Sequence, residues 1–149
     1  MDVLLSIKPK YASDILTGKK KYEFRRVLFN RQDINKVLVY SSTPVKTVTG
    51  EFEIADILCD DIENLWKITR TKAGISEQEF FDYFNDRERG FAIKIKNPVV
   101  FDTPITLGDL SVNTPPQSFR YLDIPATCQQ RNKSLLACFQ PQFQALYSF

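Results

Sequence analysis

The hydrophobic period of this chain switches between two and 3.6 several times, with fewer helical stretches than strand-like ones, and that ratio limits the folds open to it. Val3 to Ile7 is a short continuous apolar run stopped at Pro9, the pattern of a buried strand followed by a turn. Pro9 suits the first turn of a helix, where its missing N–H is not needed, and Tyr11, Ala12, Ile15 and Leu16 then fall on one helical face. Gly18 supplies the C-terminal cap. From Lys21 to Arg26 the period becomes two, with Tyr22 and Phe24 on one face and Lys21, Glu23 and Arg25 on the other, a strand with a charged side. Lys36–Ser41 and Thr47–Leu58 are the next strands, joined by a turn at Ser42-Thr43-Pro44.

Ile62, Leu65, Trp66 and Thr69 form a second helical stripe that ends near Gly74. A third helix opens on a capping box, Ser76-Glu77-Gln78-Glu79, with Ile75 placed to staple onto Phe80, and Phe80, Tyr83 and Phe84 form its core face. Gly90 leads into an alternating strand over Phe91–Lys96, and Val99–Leu107 reads as another around Pro104. Beyond Leu107 the pattern fades, with a short helix expected at Ser134–Phe139. Five or six strands with three helices inserted between some of them predict an α+β domain built on a small, mostly antiparallel β-barrel with inserted and flanking helices.

The chain has 149 residues, 43% of them apolar and 26% charged, enough for a single domain to bury a core without staples. It contains no histidine, which removes Ser-His-Asp and Cys-His nucleophile pairs and every histidine-ligated metal. Cys59, Cys128 and Cys138 have no metal-site or redox spacing, so buried thiols in a reducing compartment are expected, with neither metal nor cofactor. No segment has the length and apolarity of a membrane span, and the start is too short in apolar residues for a secretory signal; a cytoplasmic protein is expected. The net charge of +2 hides an asymmetry: residues 1–26 hold seven basic side chains against three acidic, while residues 51–64 hold six acidic and none basic. Such a distribution fits a basic face for a polyanion, and equally two solvated surfaces.

The densest polar cluster is Gly18-Lys19-Lys20-Lys21-Tyr22-Glu23-Phe24-Arg25-Arg26, running from a helix end into a strand. Its plain reading is favourable charge beyond a helix C-terminus; its functional one is a strand face that offers cations to a phosphate and one carboxylate as acceptor or base. Gly18, Lys20, Glu23 and Arg25 resemble the G-x-K-x-x-E-x-R signature of the ASCH domain, a PUA-like family linked to RNA binding. Residues 40–57 and 74–95 resemble its later blocks, so the likeness spans 1–122 and leaves 123–149 as an extension of the same domain. The resemblance implies a cleft beside the first helix lined by Lys20, Glu23 and Arg25, with Gly18 giving the turn and Lys8, Ser41 and Ser42 close by. Its implied partner is RNA or a modified nucleoside, bound without reaction.

The same superfamily contains hydrolases, which implies an alternative with Lys20 and Glu23 as catalytic candidates. Amidohydrolases acting on N4-acetylcytidine use a Lys, a Thr and a Glu. Here Glu23 stands at the threonine's place and Lys72 near the place of the glutamate. A metal-independent ribonuclease would use Glu23 as base beside Lys20 or Arg25.

Overall fold

The computed structural model describes residues 1–122; the helix expected at 134–139 lies outside the described residues. β1 (Asp2–Ile7) buries both its faces, Val3, Leu5 and Ile7 on one side and Leu4 on the other, which is why its sequence is continuously apolar. It lies between β3 (Val37–Ser41), which it pairs in parallel, and β6 (Phe119–Leu122), which runs antiparallel to it. The remaining order is β2 (Tyr22–Arg25), β5 (Arg89–Ile105), β4 (Thr47–Asp61), then β3, with all of these neighbours antiparallel. The described residues thus form one mixed, mostly antiparallel six-stranded sheet.

Among the described residues the expected barrel does not close: β2 at one end of the sheet and β6 at the other make no ladder with each other. β2 is four residues long and pairs only β5. What spans the opening is the Arg25 side chain, which donates from Nη1 to the Ser6 carbonyl of β1 at 3.2 Å and from Nη2 to the Ser118 carbonyl and Oγ at 3.1 and 2.6 Å. A second difference is that Arg89 to Ile105 is one long strand where two were expected; its register against β4 shifts three times, so irregularities bend it without ending it. Gly50 sits at one such shift, where a Cβ would lie 2.3 Å from the Val99 carbonyl.

α1 (Pro9–Leu16) lays Ala12, Ile15 and Leu16 on the face of the sheet that carries Val3, Leu5, Val37, Val39, Phe52 and Ile93. α2 (Ile62–Thr69) and α3 (Glu77–Tyr83) pack together over Tyr22, Phe24 and Ala92, with Phe80 at the centre of an aromatic cluster: Phe24 at 5.0 Å, Trp66 at 5.0 Å and Phe84 at 4.9 Å between ring centroids. The expected start of α3 is present, since the Ser76 hydroxyl accepts the Glu79 N–H at 3.1 Å. Ser76→Ala is therefore expected to cost about 1 kcal/mol, read as a thermal midpoint lower by a few degrees. An unchanged midpoint would show that the cap contributes nothing to this helix.

Candidate active site

Alternation along β2 assigns side chains to faces without saying which face is covered. Glu23 is paired directly with Ile93, so its carboxyl enters the side of the sheet that α1 covers, and the side expected to be a charged surface is interior. Glu23 is 6% exposed and Lys20 2%. Gly18, at φ +85°, turns the chain out of α1 so that the Lys20 N–H returns to the Asp14 carbonyl at 2.9 Å. The Lys20 ammonium then donates to the Ala73 carbonyl at 2.9 Å and stands 4.5 Å from the Phe24 ring centre and 5.6 Å from that of Tyr11. Gly74 is needed for this seat, since at φ +68° a Cβ there would meet Lys20 Cβ at 2.6 Å.

Burial sets the protonation of both groups. It lowers Lys20 to about 8, against the opposing pull of Glu23, Asp14 and Glu79. It raises Glu23 above the ordinary carboxylate value, opposed by Lys20, Arg25 and the Phe24 backbone N–H. Glu23 Oε2 is buried and accepts no hydrogen bond from the described residues. An unpaired buried oxygen costs roughly 1–3 kcal/mol, a cost set against the pull of Lys20, Arg25 and the Phe24 N–H.

Arg25 faces the same side as Glu23 and acts on it electrostatically, while its two terminal nitrogens donate to Ser6 and Ser118. Ser41 and Ser42 lie one step further along: Ser41 pairs with Ile7 across the β1–β3 ladder, and the Ser42 N–H donates to the Ile7 carbonyl. The Ser41 hydroxyl is buried and bonded to Thr49 Oγ1 at 2.7 Å, while Lys8 is exposed at the N-terminus of α1. The structure brings Lys20, Glu23 and Arg25 into one electrostatic group and leaves Lys8, Ser41 and Ser42 at the strand ends behind Arg25.

Sequence reasoning passed over two residues here. Tyr11 was assigned to a core stripe and Glu79 to a capping box, yet the Tyr11 hydroxyl donates to Glu79 Oε2 at 2.8 Å, tying α1 to α3 beside Lys20. Burial first, then the Glu79 carboxylate, pushes the Tyr11 phenol up to about 12, so it remains a donor at neutral pH. A glutamate at a capping-box position carries no sequence mark of this bond to Tyr11. Among the described residues no group of three or more His, Cys, Asp or Glu could hold a metal ion, and no helix is long and apolar enough to cross a membrane.

A mixed α+β domain with a buried lysine and glutamate at the open edge of its sheet is the class of protein this geometry defines. The chain belongs to the ASCH domain family, which it matches over residues 5–99. It is 31% identical over 127 residues to an ASCH domain-containing ribonuclease of Zymomonas mobilis, covering 81% of this chain and 84% of that protein. The crystal structure of the Zymomonas mobilis ASCH protein superposes with a TM-score of 0.79 at 30% identity, over 90% of this chain and 94% of the other. A structure of its tyrosine-to-phenylalanine variant gives the same score over 88% and 96%. Against Ureaplasma parvum ATP synthase subunit alpha the identity is 28% over 121 residues, 80% of this chain but only 15% of that protein.

Proposed function

We propose that this chain acts on RNA, cleaving single strands with Glu23 as base and Lys20 as acid. The observation that carries the reading is the burial of both side chains within reach of each other's charge. A cation meant only to hold phosphate is best left exposed and fully charged, whereas burial has brought Lys20 down to about 8 and moved Glu23 upward. Two groups whose protonation changes are drawn towards neutrality from opposite sides suit proton transfer in both directions. The Zymomonas mobilis relative that bears the name ribonuclease supports the same reading.

In the step this implies, the Glu23 carboxylate takes the proton of a ribose 2′-hydroxyl, and the 2′-oxygen attacks phosphorus. The bond to the 5′-oxygen breaks as the Lys20 ammonium gives that oxygen a proton, leaving a 2′,3′-cyclic phosphate and a free 5′-hydroxyl. Activity should rise as pH passes the raised Glu23 value and fall above about 8, where Lys20 loses its proton.

A second reading, in which RNA or a modified nucleoside is bound without reaction, is favoured by the small exposure of both groups, 2% and 6%. Incubating the purified protein with end-labelled single-stranded RNA across pH decides between them. Cyclic-phosphate ends with a falling limb near pH 8 are expected, and binding with no cleavage at any pH would leave the second reading in place.

A further inference from the structure

Arg25 commits both terminal nitrogens of its guanidinium to Ser6 and Ser118, and an RNA site at this edge gains from a cation that solvent reaches more fully. The next residue provides one. Arg26 is exposed at the end of β2, and both of its ends are fixed on Tyr83, the last residue of α3. Its backbone N–H donates to the Tyr83 hydroxyl at 3.3 Å, and its Nε donates to the Tyr83 carbonyl at 2.7 Å. Its guanidinium carbon lies 4.6 Å from the ring centre.

An exposed arginine ordinarily keeps most of its rotamer freedom. Here that freedom is already given up, while no hydrogen bond from Nη1 or Nη2 to the described residues accompanies the Nε bond and no described carboxylate is within ion-pair distance. Arg31 makes the contrast. It too lies over a tyrosine, Tyr121 at 5.7 Å, but Asp33 neutralises it with a two-pronged pair at 2.9 and 2.8 Å.

Tyr83 also belongs to the neighbourhood of the acid–base pair, because the charges of Glu23 and Arg25 both act on its hydroxyl. Glu23 and Arg26 stand three positions apart along the chain, roughly 10 Å of extended backbone, or about one to three nucleotides along a single strand.

We propose that Arg26, held over Tyr83, is the arm that grips a backbone phosphate of single-stranded RNA beside the Lys20–Glu23 site. This rests on the reading that the chain acts on RNA. The planar fork takes two phosphate oxygens, and the outer face of the guanidinium is a platform on which a base can stack.

The test is fluorescence anisotropy with the full chain and a labelled, 2′-O-methylated single-stranded RNA of about twelve nucleotides, which binds without being cleaved. Arg26→Ala is expected to weaken binding about tenfold at low salt and to flatten the log–log salt slope by about 0.7, measured well below a melting temperature that falls by a few degrees as the bond to the Tyr83 carbonyl is lost. Arg26→Lys should restore the slope but not the whole affinity, since an ammonium is a point charge without a stacking face. Tyr83→Leu should keep the slope and lose affinity, because the charge stays and its ordering is lost. If wild-type protein binds and Arg26→Ala binds with the same affinity and slope, the arm is wrong and the RNA reading stands. If the wild-type chain does not bind this RNA, both fall together.

Discussion

Glu23→Gln is expected to lower the turnover of single-stranded RNA by ~10²-fold or more while leaving affinity within about twofold of wild type. Glutamine keeps the size of the side chain and an oxygen acceptor but loses the ability to take a proton, together with the charge that holds Lys20 up against burial. The stability of the variant separates this role from a structural one. The folded Glu23 value is raised, so below the unfolded value of 4.5 both states are protonated and burial carries no ionisation penalty. As pH rises past 4.5 the unfolded chain ionises first, and the folded state loses stability until its own carboxyl has ionised. At neutral pH the penalty is present in the wild type and absent in the variant, and Glu23→Gln should melt at or above the wild-type temperature. An inactive variant that is as stable as its parent marks a residue kept for chemistry. A variant that melts well below it, with turnover lost in proportion to folded protein, would make Glu23 a structural partner of Lys20 and Arg25.

Lys20 follows the same logic with the opposite charge. A lowering from 10.5 to about 8 corresponds to ~3 kcal/mol by which the folded state disfavours the ammonium. That cost is fully present below the folded value and disappears as pH rises towards the unfolded one. The hydrogen bond to the Ala73 carbonyl and the Phe24 ring offset part of it.

Local order was legible in the sequence because it is written in local signals. The apolar run of β1, Pro9 at the start of α1, Gly18 at its end and the Ser76 cap each act within a few residues, and each is where it was expected. Closure of the sheet was not legible. Whether β2 meets β1 or β6 depends on strand lengths and register far apart in the chain, and no local spacing encodes them. The motif residues could be named from their spacing, but their environment could not. Lys21, Glu23 and Arg25 alternate as a solvated face would, and only the packing of α1 over that face makes Glu23 interior while Lys21 stays exposed. The link between Tyr11 and Glu79 spans 68 positions and two residues that each had a sufficient local explanation.

Arg25→Ala is the substitution expected to damage the fold most among the motif residues. Its guanidinium is the side-chain bridge between the β2 end of the open sheet and the β1–β6 end, through Ser6 and Ser118. Hydrogen bonds from a charged donor contribute roughly 1.5–3 kcal/mol each, shared acceptors reduce the sum, and a loss of ~3 kcal/mol follows, read as a thermal midpoint lower by about 10 °C. Arg25→Lys keeps the charge but can reach one acceptor at a time, so it should recover less than half of that loss. A second consequence concerns the site. The Arg25 charge holds the Glu23 carboxyl down against burial, so its removal lets Glu23 rise further, and the rising limb of the pH–activity profile should move to higher pH in Arg25→Ala measured well below its melting point. The RNA salt slope under those conditions should match wild type, because the phosphate contact is assigned to Arg26. An Arg25→Ala protein that melts normally and loses salt-dependent RNA binding would reverse the two arginines, making Arg25 the ligand residue and leaving the sheet to hold its two ends together by other contacts.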